Sequence, residues 1–306
     1  MKFDYGVYSV IPTLFDNNKV DLISIKNLIT FQIKSGIKNI LLLGTTSETP
    51  TLDDNEQQDI AKFVWENFRD KVNIIIGIGG NNTKSTIENG IKLKEYCNSF
   101  MVTVPYYNKP SQVGIYQHFL TISKFFYDKS IMLYNVPSRC GVSMSPEIVA
   151  ELFKANSNIK AIKEASGNVN NSIQILKLCD IVVLSGDDSL TLPILSIGGK
   201  GVVSVASNIV PKKITSLVHK FLNNELSEAI KINLELFNLF KNLFIDTNPV
   251  PLKYMLKQLG LCKDCSVRLP LVEIENNDIL LTLKNICIQL NEFEHLKIAE
   301  QKMITH

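Results

Sequence analysis

No apolar stretch in this chain approaches the ~20 residues needed to span a bilayer. Asp4 interrupts the N-terminal segment where a signal peptide needs an unbroken apolar region, so a cytoplasmic location is expected. The formal net charge is only +2 and no basic run occurs, which argues against nucleic acid or a membrane surface as partner. Low-complexity tracts and polar linkers are missing too, so nothing marks a domain boundary. Six cysteines are scattered, at Cys97, Cys140, Cys179, Cys262, Cys265 and Cys287, and read as reduced core thiols. The Cys262-Lys-Asp-Cys265 pair lacks a second CxxC or paired histidines, so neither zinc nor redox chemistry is assigned to it. Of the four histidines, His118, His219 and His295 fall on helical stretches and His306 ends the chain. Gly77-Ile-Gly-Gly80 and Gly198-Gly-Lys-Gly201 match neither GxxxxGK[ST] nor GxGxxG, and read as tight turns rather than phosphate cups.

What remains is a chain of 306 residues, 45% hydrophobic and 20% charged, the profile of a globular protein with a sizeable core. Strand-like and helix-like stretches alternate along it. The strands are expected at Val7–Leu14, ending near Pro12, and at Asn39–Leu43, Val72–Gly77, Phe100–Val104, Ile131–Tyr134, Asn158–Lys163, Ile181–Leu184 and Gly201–Val205. Helices follow each, one of them from about Asp53, with Asp21 and Ser145 placed as caps and Pro146 in a first turn. Eight such units predict an α/β chain folded as a (β/α)8 TIM barrel. An open doubly wound sheet would want a glycine fingerprint after its first strand, and Pro12-Thr13-Leu14 offers none. Residues 1–210 are expected to form the barrel core, closed by a helix around 211–223. Residues 224–306 are expected to form a C-terminal helical extension, broken at Asp246-Thr-Asn-Pro249 and near Pro270.

Barrel active sites lie where strands end and βα loops begin. That rule gathers Thr45, Thr46, Tyr106, Tyr107, Tyr134, Arg139, Lys163 and Gly186 on one rim, with no histidine and no metal-ligand cluster among them. Lys163 stands out, because it ends the apolar side of the strand carrying Ile159 and Ala161. Burial disfavours an ammonium, so a lysine there is expected to present free amine and to attack a carbonyl, forming a Schiff base. With an α-keto acid the imine becomes an electron sink, and the resulting enamine adds to an aldehyde. Hydroxyls such as Thr45, Tyr134 and Tyr107 suit the proton transfers. Thr46 and backbone N–H groups suit one carboxylate, and Arg139 a second. Singly, each residue also has a structural reading: the threonines in turns, the tyrosines in packing, Arg139 as a rim charge and Lys163 as a snorkelling side chain.

The motifs Gly44-Thr-Thr-Ser-Glu48, Val104-Pro-Tyr-Tyr-Asn-Lys-Pro-Ser-Gln112, Tyr134-Asn-Val-Pro-Ser-Arg139 and Ile162-Lys-Glu-Ala-Ser-Gly167 occur in this order, followed by Ser185-Gly-Asp-Asp188, Gly198-Gly-Lys-Gly201 and Asn248-Pro-Val-Pro251. In them the chain resembles the dihydrodipicolinate synthase family of pyruvate-dependent aldolases, a superfamily that includes N-acetylneuraminate lyase. The resemblance implies condensation of pyruvate with L-aspartate 4-semialdehyde, the first committed step toward diaminopimelate and lysine, without a cofactor beyond the imine on Lys163. It implies a relay of Thr45, Tyr134 and Tyr107, the last supplied across a tight dimer, and a homotetramer built as a dimer of such dimers. It also places Thr46 on the pyruvate carboxylate, Arg139 on the semialdehyde carboxylate, and Gly186 and Val203 along the pocket. Thr49, Asn81 and Tyr106 fall at the family's lysine effector site. Asp54, Gln57 and Ser85 stand where His and Glu are frequent, so weak lysine inhibition is expected. Ser47 replaces a usual Gly, and Cys140 a common Thr. Arg139 favours this branch over a sialic-acid lyase; a sister aldolase and a non-catalytic keto-acid-binding barrel are the alternatives.

Overall fold

The computed structural model describes residue 3 and residues 5–294, with the side chains of 291–294 excluded; the expected extension beyond residue 294, with His295 and His306, lies outside the described residues. Eight parallel strands close into a barrel: β1 (Gly6–Val10), β4 (Asn39–Leu42), β5 (Asn73–Gly77), β6 (Ser99–Thr103), β7 (Ser130–Asn135), β8 (Ile159–Glu164), β9 (Val182–Ser185) and β10 (Gly201–Ser204). Between the first two lies a small antiparallel hairpin, β2 (Phe15–Asp16) and β3 (Lys19–Val20). The barrel strands are buried on both faces, which is why they read as continuous apolar runs.

The barrel's helices are α1 (Leu22–Lys34), α2 (Asp54–Phe68), α3 (Thr83–Leu93), α4 (Gln112–Phe125), a single turn α5 (Pro137–Cys140), α6 (Pro146–Ala155), α7 (Val169–Leu178), α8 (Thr191–Ser196) and α9 (Pro211–Leu222). Short polar side chains start them as the sequence implies. Asp21 accepts from the Ile23 and Ser24 amides, Asp53 and Glu56 form a capping box, and Ser145 caps α6 ahead of Pro146. Beyond α9, which packs on β1, come α10 (Leu226–Asn242), α11 (Val250–Gln258) and α12 (Asn277–Glu294).

Each strand differs from its expected span by a residue or more, and three of the differences bear on the rim. β1 stops at Val10, just ahead of the expected end near Pro12: the Ile11 amide still donates to Leu41 O at 2.9 Å, but Pro12 has no N–H to continue the ladder. β4 stops at Leu42, because Leu43 turns into the left-handed region at φ 53°. Lys163 is the penultimate residue of its strand, and Glu164 the last. The unanticipated hairpin has a local cause: Asn17 and Asn18 adopt φ 50° and 61°, the conformation of a tight primed turn.

Candidate active site

The C-terminal ends of β4, β6, β7, β8, β9 and β10 bring the expected residues to one rim. Lys163 is buried, 7% exposed, and its Nζ lies 4.2 Å from the centroid of the Tyr134 ring. The two side chains come from paired residues of adjacent strands, Tyr134 opposite Lys163. Gly186 follows the last residue of β9: a Cβ there would lie 3.1 Å from Lys163 Cε and 2.6 Å from Ala165 Cβ. Only glycine leaves the lysine stem that path. Val203, 1% exposed, sits on β10 beside β9.

Thr45 and Thr46 occupy a 3-10 turn, Thr45–Ser47, that follows Gly44. Thr46 is buried, and its hydroxyl accepts from Asn248 Nδ2 at 2.9 Å, across 202 positions of sequence. Ser47, where glycine was the family's usual residue, is accommodated: its hydroxyl donates to Ile11 O at 2.7 Å. Cys140 is likewise buried, with Sγ 3.1 Å from Val104 O, and burial pushes its thiol up to about 11.

The turn is anchored from below by Glu48, in a left-handed conformation at φ 52°. Its carboxylate forms an ion pair with Lys253 of α11, both side chains fully buried, and accepts from the Arg268 amide at 3.0 Å. Burial pulls the Lys253 ammonium down from its ordinary value while Glu48 pulls it back up. Arg268 in turn holds Glu56 with two guanidinium nitrogens at 2.7 and 2.6 Å. Non-glycine residues at positive φ gather at this rim: Leu43, Glu48, Tyr107 and Lys109. Such strain concentrates where a backbone has been shaped for a site.

A cavity of about 490 Å³ opens beside this rim, with Thr45, Thr103, Tyr106, Arg139 and Asn248 among its walls. Thr49 lines it too, whereas Lys163, Tyr134, Thr46, Gly186, Val203 and Asn81 do not. Thr46 is tied to the cavity wall through its hydrogen bond with Asn248. Arg139 is exposed on α5. Tyr107 projects outward, 87% exposed and at φ 69°, so a single chain does not bring it to Thr45 and Tyr134, the residues expected to share a relay with it. A shallower cavity near His219, Lys220 and Glu225 lies at the opposite end of the barrel, where the fold places stability rather than chemistry.

In the 3-10 turn Asp188–Leu190 after β9, Asp188 is buried and accepts from Ser204 Oγ, the Val205 amide and the Ala206 amide. Burial pushes its carboxyl up to about 6, against the pull of those donors. Among the described residues one trio gathers metal-type donors, Asp264, Cys265 and Glu273, within 4.8 Å of one another. It lies after α11, with Lys257 Nζ 3.9 Å from Cys265 Sγ, and burial pushes the thiol up to about 11. His118 is buried on α4, bonded through Nδ1 to Thr83 Oγ1 at 2.9 Å, and has no place on the rim.

Asn248 and Glu48 were missed as site residues, although both stand inside motifs quoted from the sequence. Local patterns carry no sign that residue 248 returns to residue 46.

The model of the Dihydrodipicolinate synthetase family matches residues 5–288. The chain is 43% identical over 272 residues to a 4-hydroxy-tetrahydrodipicolinate synthase of Endomicrobium trichonymphae, covering 88% of this chain and 93% of that one. A protein of the same name from Methanococcus maripaludis is 40% identical over 278 residues, with 90% and 96% covered. Among solved structures, dihydrodipicolinate synthase from Aquifex aeolicus superposes with a TM-score of 0.91 at 37% identity, covering 94% and 98% of the two chains. The enzyme from Cyanidioschyzon merolae with lysine bound gives 0.91 at 34% identity, covering 95% and 99%. Fold, motif order and these relatives agree, and the chain belongs to the dihydrodipicolinate synthetase family.

Proposed function

We propose that this chain is a lyase that condenses pyruvate with L-aspartate 4-semialdehyde to give 4-hydroxy-tetrahydrodipicolinate, the first committed step toward diaminopimelate and lysine. The observation that carries the reading is Lys163, a buried amine held against Tyr134 at a barrel rim, in a chain 43% identical to a synthase of that name. Lys163 Nζ adds to the pyruvate keto carbon and water leaves, forming the imine. A methyl proton departs, and the enamine carbon bonds to the aldehyde carbon, whose oxygen takes up a proton. The amino group of the semialdehyde then attacks the imine carbon and releases Lys163. No cofactor is required, since the protonated imine is itself the electron sink.

In this reading Thr45 and Tyr134 pass protons together with Tyr107. The exposure of Tyr107 suits delivery from one protomer to the site of its partner, within a homotetramer made of two tight dimers. Thr46 donates to the pyruvate carboxylate: its hydroxyl accepts from Asn248 and so keeps its own hydrogen for the substrate. Arg139, at the cavity mouth, binds the semialdehyde carboxylate. Gly186 and Val203 shape the pocket, while Thr49, Asn81 and Tyr106 line the effector site. No helix of the described residues is long and apolar enough to cross a membrane, in keeping with a cytoplasmic enzyme.

Borohydride reduction in the presence of pyruvate tests this directly. A covalent adduct is expected on Lys163, located by peptide mass, and lost in Lys163→Ala and Lys163→Arg. Turnover should favour aspartate semialdehyde over N-acetylneuraminate. Unimpaired condensation by either lysine variant refutes the reading.

A further inference from the structure

Lys163 is a long, flexible side chain, and its usefulness depends on where its backbone is held. The barrel rung that carries it has two faces. On the inner face, Lys163 meets the ring of its paired residue Tyr134. On the outer face of the next pair in register, Asn135 opposite Glu164, Asn135 Nδ2 donates to Glu164 Oε2 at 3.0 Å. Alternation of side chains along a strand thus places one residue of each kind back to back with its neighbour.

The Glu164 carboxylate, 5% exposed, collects two further donors: Asn171 Nδ2 from α7 at 2.7 Å and the Ser166 amide at 2.7 Å. Asn135, fully buried, returns its Oδ1 to the Met144 amide at 3.0 Å and to Ser143 Oγ at 3.4 Å, on the segment that follows Arg139. Backbone bonds lock the same level, from the Ala165 amide to Asn135 O at 2.9 Å and from the Gly186 amide to Glu164 O at 2.7 Å. β7, β8, β9, α7 and the Arg139 loop are therefore tied at one point. Three N–H donors converge on Glu164, and only a carboxylate offers acceptors to all of them; an amide would turn its own N–H groups toward a donor.

We propose that Glu164 is a positioning residue for the reaction, riveting the outer side of the rung so that Lys163 and Tyr134 hold their mutual geometry on the inner side. The inference rests on the Schiff-base role proposed for Lys163. A displacement of about 1 Å at a reacting group can cost on the order of 10²-fold in rate, so loosening the rivet acts on the chemistry without touching substrate.

The experiment is stopped-flow or quenched borohydride trapping of the pyruvate imine in Glu164→Gln. Maximal trapping rate at saturating pyruvate is expected to fall about tenfold or more. The pyruvate concentration giving half that rate is expected to stay within about twofold, because Thr46, assigned to the carboxylate, stands on the separate turn after β4. A general loosening of the barrel raises that concentration as well. The double variant E164Q/N171D restores a donor–acceptor pair with reversed polarity and is expected to recover much of the loss. A wild-type trapping rate in E164Q overturns the proposal, and so does a loss shared equally by rate and half-saturation. Should E164Q fail to fold, Asn171→Ala removes one donor and leaves the carboxylate in place: slowing by about threefold or more supports the rivet, and an unchanged rate overturns it. If the wild-type chain forms no adduct with pyruvate, it is the proposed function that falls.

Discussion

The buried pair of Glu48 and Lys253 makes the sharpest stability prediction. Lys253→Met keeps the volume of the stem and its packing on Phe15, whose ring centroid lies 4.2 Å from the ammonium. It leaves the Glu48 carboxylate fully buried without its counter-charge, and Ser266 O without the donor now at 2.9 Å. Breaking one half of such a pair costs about 3–5 kcal/mol, more than the pair contributes as a whole, because the survivor cannot be rehydrated. With an unfolding entropy of about 2.1 cal/mol/K per residue, that cost lowers Tm by about 5–8 °C. The assay is calorimetry or circular dichroism melting of Lys253→Met beside Glu48→Gln/Lys253→Met. Glutamine is neutral and still accepts from the Arg268 amide, so the double variant is expected to regain about half the loss or more. Two results refute the reasoning: a Lys253→Met melting point within about 2 °C of wild type, or a double variant no more stable than the single.

Gly186→Ala forces a methyl against Lys163 Cε and Ala165 Cβ, and pyruvate trapping is expected to slow by about 10²-fold with modest loss of stability; a rate within about twofold of wild type disproves that close approach. Burial pushes the His118 imidazole down to about 4, below its ordinary 6.5, so the unfolded chain takes up a proton first. The folded state's advantage is therefore complete above pH of about 6.5 and shrinks toward pH of about 4, by about 3 kcal/mol in all; His118→Phe should flatten that slope in denaturant titrations, and an unaltered slope sinks the assignment. L-lysine is expected to change the steady-state rate little. Gln57 offers an amide on the cavity wall and Asp54 is bonded to Lys92, so no free carboxylate at either position receives the effector's amine; micromolar inhibition would contradict this.

Much of the architecture was legible from sequence because its signals are local. Apolar runs such as Asn39–Leu42 and the caps Asp21 and Ser145 depend on neighbours within four residues. So does the link between a barrel strand's end and the rim, which brought Lys163, Tyr134, Thr45 and Arg139 to one side. Where strands stop was less legible: Pro12 signalled the end of β1 through its missing N–H, but nothing local showed that Leu43 would end β4 in a left-handed turn.

The sequence by itself determined which chemical groups stand at which strand ends, since strand period and motif order are written along the chain. Only the tertiary structure decided that Asn248 reaches Thr46, that Lys253 neutralises Glu48, and that Asn135 and Glu164 clasp behind the lysine. Each of those contacts joins residues between 29 and 205 positions apart. Their partners are chosen by how the barrel closes and where α11 folds back, and burial then makes each polar group depend on the one it meets.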